Sequence, residues 1–145
     1  PSNTVPPDMA TIQELIHDLN NRERRELALA ELSRFREAVP EMATLLWSTP
    51  GVATVLLVEV CSIYTVLLSN ALSSQDSTRV CNALALMQCL ASHDETRRPF
   101  LEAQIPLFLY PCLGTTNKAR PYEYLRLTCL GVIGALVKTE SPEVV

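Results

Sequence analysis

A chain of 145 residues can form one domain around one hydrophobic core. With 48% apolar residues and a net charge of −4, it reads as a packed globular protein rather than a disordered one. The negative balance argues against whole-surface attraction to nucleic acid or anionic membrane but leaves room for a local basic patch. No apolar run reaches the roughly 20 uninterrupted residues that a membrane span needs.

The N-terminus, PSNTVPPDMA, has no basic leader and no apolar run, and reads as a flexible tail over residues 1–10. A helical-repeat domain is expected over residues 11–145. TIQELIHDLN predicts a short first helix, with Thr11 as N-cap and Glu14 completing a capping box. Its apolar positions are Ile12, Leu15, Ile16 and Leu19. A second helix is expected over 22–38, burying Leu27, Ala28, Ala30, Leu32 and Phe35. Its Arg and Glu residues read as a solvated face. Pro40 opens a third helix that ends at Trp47, and STPG is a turn.

Residues 51–68 are apolar nearly all round, with Glu59 as the only charge, which predicts one helix buried on most sides. After the polar loop 69–76, a strong helix is expected over 77–91 through Val80, Leu84, Met87 and Leu90. DETRRPFLEA follows as a short helix, capped from Ser92 or Asp94 and strained by Pro99. Ile105-Pro106 turns the chain into the apolar helix PLFLYPCL. Gly114–Ala119 is a loop. Pro121 opens a last long helix to about Lys138, apolar on most sides through Leu125, Leu127, Leu130, Val132, Ile133, Leu136 and Val137.

The order from 77 onward is long, short, short, long. NALALMQCLASHDETRRPF resembles RLTCLGVIGALVKTESPEVV in layout, and aligning Leu90 with Leu136 gives a period near 46 residues. Periods of about 40–47 residues with two or three helices are those of armadillo and HEAT repeats. The expected fold is therefore an all-α, armadillo/HEAT-like right-handed helical solenoid of about three repeats, incomplete at its C-terminal end.

RVCNALALMQCLASHDETRRPFLEAQIPLFLYPCL and RPYEYLRLTCLGVIGALVKTE resemble the Rcd (required for cell differentiation) family, the armadillo-repeat subunit of the CCR–NOT messenger-RNA deadenylase complex. ELSRFREAVPEMATLLWSTPG extends the resemblance, which covers about residues 11–145, the N-terminal half of the longer family proteins. Tyr64-Thr65-Val66 and Pro99 depart from the family pattern. The resemblance implies a non-catalytic adaptor, docked on the large Not scaffold subunit and recruiting peptide segments of RNA-binding or silencing proteins. It also implies single-stranded nucleic-acid binding in a groove as an alternative. A truncated paralogue competing for the scaffold is a third reading. The family's tryptophan pockets lie in later repeats, so none of their residues is carried over.

Five cysteines, Cys61, Cys81, Cys89, Cys112 and Cys129, form no C-x-x-C pair and sit among apolar neighbours. They read as buried reduced thiols, pointing to the cytoplasm and nucleus. Cys89 and His93 lie four apart on one helix, but no second pair completes a metal site, and neither metal nor cofactor is expected. No nucleophile, base and orienter fall into a pattern, so no enzymatic activity is expected. His17 reads as a half-exposed helix residue.

Third helices of armadillo repeats line the concave groove, which makes Arg79, Gln88, Arg126 and Lys138 the groove candidates. Residues 77–126 carry six cations against four carboxylates, a modest basis for phosphate contacts. Tyr122 and Tyr124 are expected to pack at a helix start, with base stacking as the alternative. A solenoid end without a polar cap exposes its apolar face. Val132, Ile133, Leu136 and Val137 are therefore the expected docking face, for a partner or for self-association.

Overall fold

The computed structural model describes residue 5 and residues 7–138, which are all helical with connecting turns and no strand. The helices are α1 (Met9–Asp18), α2 (Arg25–Phe35), α3 (Met42–Ser48), α4 (Val52–Cys61), α5 (Tyr64–Leu68), α6 (Ser74–Ser92), α7 (Asp94–Glu102), α8 (Tyr110–Leu113) and α9 (Arg120–Val137). A 3₁₀ turn, Ile105–Leu109, precedes α8. The long–short–short–long order expected from 77 onward is present. Residues 1–4, 6 and 139–145 lie outside the described residues, and with them most of the expected N-terminal tail and the KTESP turn beyond Lys138.

α1 begins three residues earlier than TIQEL suggested. Asp8, not Thr11, is the N-cap, its carboxylate accepting the Thr11 backbone N–H at 2.9 Å. The tail boundary at residue 10 therefore falls inside the first helix. α2 is shorter than 22–38 and turned differently. Ala28, Leu29, Leu32 and Ser33 are buried while Leu27 and Ala30 face solvent.

The STPG turn holds. Gly51 adopts φ +84, a conformation open to glycine, and a Cβ there would lie 3.2 Å from Asn20 Oδ1. Asn20 Nδ2 donates to the Pro50 carbonyl at 3.2 Å, so the α1–α2 turn clamps the α3–α4 turn. The chain bends by 91° between α3 and the α4–α5 segment, and no single helix among the described residues is long and apolar enough to cross a membrane.

The single helix expected over 51–68 breaks at Ser62-Ile63. The Ser62 hydroxyl donates to the Glu59 carbonyl at 2.6 Å, the local competition by which serine weakens a helix interior. Beyond the break the half-buried Tyr64 donates its hydroxyl to the Phe108 carbonyl, tying α5 to the 3₁₀ turn. α7 is capped by His93 rather than by Ser92 or Asp94 and continues through Pro99. Gln104, at φ 60, makes the turn before Pro106.

α6 is the central element, packed against α2, α3, α4, α7 and α9. That position explains its ten buried residues, among them Val80, Leu84, Met87 and Leu90. The α6–α9 seam is the most extensive. At its N-terminal end the Ser77 hydroxyl donates to the Pro121 carbonyl at 2.7 Å. Tyr122 is buried, and its hydroxyl accepts the Leu72 N–H at 3.1 Å, so it packs at the helix start as expected, whereas Tyr124, expected to pack there too, is exposed.

Candidate interaction groove

α2, α6 and α9 lie side by side, and between them runs an open recess of about 300 Å³. Ser33 and Arg36 line it from α2 and its C-cap, Asn82, Ala85 and Gln88 from α6, and Tyr124, Leu127 and Gly131 from α9. Gly131 allows a close crossing here. A Cβ at that position would sit 3.2 Å from the Gln88 Oε1. Arg36 is braced by donating to the Ser33 carbonyl at 2.6 Å, which leaves a half-buried cation at the rim. Polar amides, one cation and an exposed tyrosine beside Leu127 suit an extended peptide better than a small apolar ligand. A second recess of about 400 Å³ opens between the N-terminal turns of α6 and α9, bordered by Thr78, Arg120 and Tyr124.

Of the four expected groove residues, the structure places only Gln88 in this recess. Arg79 turns to the opposite edge of α6. Its Nε and Nη2 donate to the two Glu59 carboxylate oxygens at 2.6 and 3.0 Å, and its Nη1 stands 3.5 Å from Glu26. Arg126 donates to the Thr115 carbonyl and hydroxyl at 3.2 and 3.0 Å, holding the 114–119 loop against α9. Lys138 is exposed at the end of α9. The misplacement has one cause. A helix packed on several sides sends its polar residues to several surfaces, and spacing alone does not say which.

The expected apolar docking face is half corrected. Val132 and Leu136 are buried, Ile133 is half-buried against the core, and only Val137 is exposed. Leu127 and Leu130 are the large apolar residues of α9 that face outward instead.

The feature that the sequence reading missed is the ionic node around Glu59, which is 4% exposed. Arg25 adds a third bond from Nη1 at 3.3 Å while its Nε holds the Leu19 carbonyl at 2.8 Å. Burial by itself would raise the Glu59 pKa. The hydrogen bonds and charges of Arg79 and then Arg25 outweigh it and hold the carboxyl below its ordinary range. The node joins α2, α4 and α6. Its signal in the sequence was a lone carboxylate in an apolar run, which needs a cation from elsewhere in the chain.

All five cysteines are free, as expected. Cys81, Cys112 and Cys129 are buried, whereas Cys61 and Cys89 are only half-buried. Burial pushes the Cys89 thiol up to about 11. Donation to Cys112, then burial, also raises the Cys129 thiol. Such thiols stay protonated and weakly nucleophilic. His93 spends Nδ1 on the Glu95 N–H at 3.4 Å, and Asp94 takes Arg97 at 3.0 Å. Among the described residues, no three His, Cys, Asp or Glu side chains are grouped to hold a metal ion.

Residues 15–145 match the cell differentiation family, Rcd1-like. The chain belongs to this family. It is 56% identical over 136 residues to "Cell differentiation protein rcd1" of Schizosaccharomyces pombe, covering 94% of this chain and 48% of that protein. It is 51% identical over 138 residues to "Protein CAF40" of Saccharomyces cerevisiae, covering 95% of this chain and 37% of that protein. The chain thus spans half or less of the length of these relatives. The matched region includes the groove and the Glu59 node.

Proposed function

We propose that the chain is a non-catalytic adaptor of a CCR–NOT-type deadenylase complex, acting in the cytoplasm and nucleus. In this reading it docks on the large Not scaffold subunit and presents the α2–α6–α9 groove to peptide segments of RNA-binding or silencing proteins. The observation that carries the reading is identity above one half, over almost the whole chain, to rcd1 and CAF40. The groove adds a surface of suitable chemistry, lined by amides, a braced arginine and exposed Tyr124 and Leu127.

The test is titration of the purified chain against a Not scaffold segment and, separately, against peptide segments of RNA-binding or silencing proteins. Each is repeated with Asn82→Arg, which fills the recess from α6. Saturable scaffold binding is expected, with peptide binding weakened about tenfold by the substitution, equivalent to roughly 1.4 kcal/mol. Scaffold binding without peptide binding would instead describe a competing paralogue. Failure to bind the scaffold would overturn the reading. The nucleic-acid alternative is disfavoured by the positions of Arg79 and Arg126, which lie outside the groove. It requires an affinity for single strands that falls steeply with salt and with Arg36→Glu.

A further inference from the structure

Two of the five cysteines form a pair. Cys112 on α8 and Cys129 on α9 are both 0% exposed. α8 folds back onto α9 across the 114–119 loop and sets the two thiols against each other. The Cys129 S–H donates to the Cys112 sulfur. That bond lowers the Cys112 pKa against the opposing effect of burial, while Cys129 is raised. The pair thus divides into a sulfur suited to attack and one that keeps its proton. The other thiols stand apart from this arrangement. Cys81 faces the Ser77 hydroxyl at 4.0 Å, and Cys61 and Cys89 are half-buried. α8 is four residues long, between the 3₁₀ turn and the loop. A single turn of helix opens locally at less cost than the long α9 beneath it.

We propose that Cys112 and Cys129 are a dithiol modification site, closing to a disulfide with an oxidant of the hydroperoxide class and so pinning α8 to α9. The reaction runs in two steps. Cys112 gives its proton to water, and its thiolate attacks one peroxide oxygen. The O–O bond breaks, hydroxide leaves, and Cys112 becomes a sulfenic acid. Cys129 then attacks that sulfur. The S–S bond forms as the S–O bond breaks, and the departing hydroxide takes the Cys129 proton as water. Two thiols and one hydrogen peroxide become one disulfide and two waters. The sulfurs are oxidised and the peroxide is reduced. The sulfenic acid forms inside the seam, beside its resolving thiol and shielded from solvent, so closure outruns further oxidation. The new bond closes a ring through the 114–119 loop, which is otherwise held to α9 by the Arg126 bonds to Thr115. α9 is also one wall of the groove, so the same bond stiffens that wall. The inference goes beyond the adaptor reading and does not depend on it.

The test treats the whole chain with hydrogen peroxide, blocks the remaining thiols, and maps tryptic peptides by mass without reduction. Trypsin cuts between the pair, after Lys118 and Arg126. The disulfide therefore joins two peptides that separate on reduction. This readout needs no variant. The joined peptides are expected to accumulate and to be absent from Cys112→Ser. A second readout is thermal unfolding of the Cys61→Ser, Cys89→Ser double variant, which keeps only the buried thiols. Its Tm should rise by about 5–10 °C on oxidation, as for a ring of this size, and fall back on reduction. Cys81 joined to either sulfur would overturn the proposal. So would sulfinic acid at Cys112 without the joined peptides, thiols that stay reduced until the chain unfolds, or a Tm that does not rise.

Discussion

Replacing Glu59 by glutamine takes one negative charge from between two guanidinium groups while keeping the side chain's shape. Breaking a fully buried ion pair costs about 3–5 kcal/mol. Here the loss is smaller. The Arg79 side chain is 31% exposed and keeps Glu26 at 3.5 Å, although that outer pair is itself worth little. The expected cost is therefore about 2–3 kcal/mol, or roughly 5–10 °C in Tm for a domain of this size. The assay is urea and thermal unfolding of both proteins, followed by circular dichroism across pH. Because the folded carboxyl pKa lies below its unfolded value, its stabilisation is complete above the ordinary glutamate range, about 4.3. It is lost as pH falls through the folded value. Wild type and Glu59→Gln should therefore converge in strong acid. A difference below about 0.5 kcal/mol at neutral pH would refute the node's role. So would a gap that persists undiminished in acid.

Two further outcomes follow from single contacts. Tyr122→Phe leaves the buried Leu72 N–H without its acceptor and should cost about 1–2 kcal/mol in urea unfolding. Gly134→Ala adds a methyl where nothing stands within 4 Å, inside a helix. It should raise stability by about 0.5–1 kcal/mol in urea unfolding.

Much of the helix plan was legible because prolines and polar turns punctuate it. Pro121 and the Gly51 turn start α9 and α4 where the sequence reading put them. Boundaries failed where a cap could be supplied by more than one residue, as at Asp8 against Thr11 and at His93 against its neighbours. The break at Ser62 was hidden because a serine in an apolar run gives no sign of whether its hydroxyl turns onto the helix or into solvent. The groove was legible in outline, since α6 and α9 were expected to line it. Its composition was not, because Ser33 and Arg36 come from α2.

The sequence by itself determined an all-helical chain, the α6 core stripe and the family, since local periodicity, turn chemistry and the run from Arg79 to Lys138 do not depend on knowing the neighbours. Tertiary structure decided which side of each apolar helix is inside. On α9, Val132 and Leu136 are buried while Leu127 and Leu130 face out, though all four are equally apolar. Where polar contrast is missing, periodicity has nothing to register against. Burial is then set by where α6 and α8 stand. The same holds for Glu59, whose cations come from 34 residues before it and 20 after it, a pairing that exists only once α2, α4 and α6 are packed together.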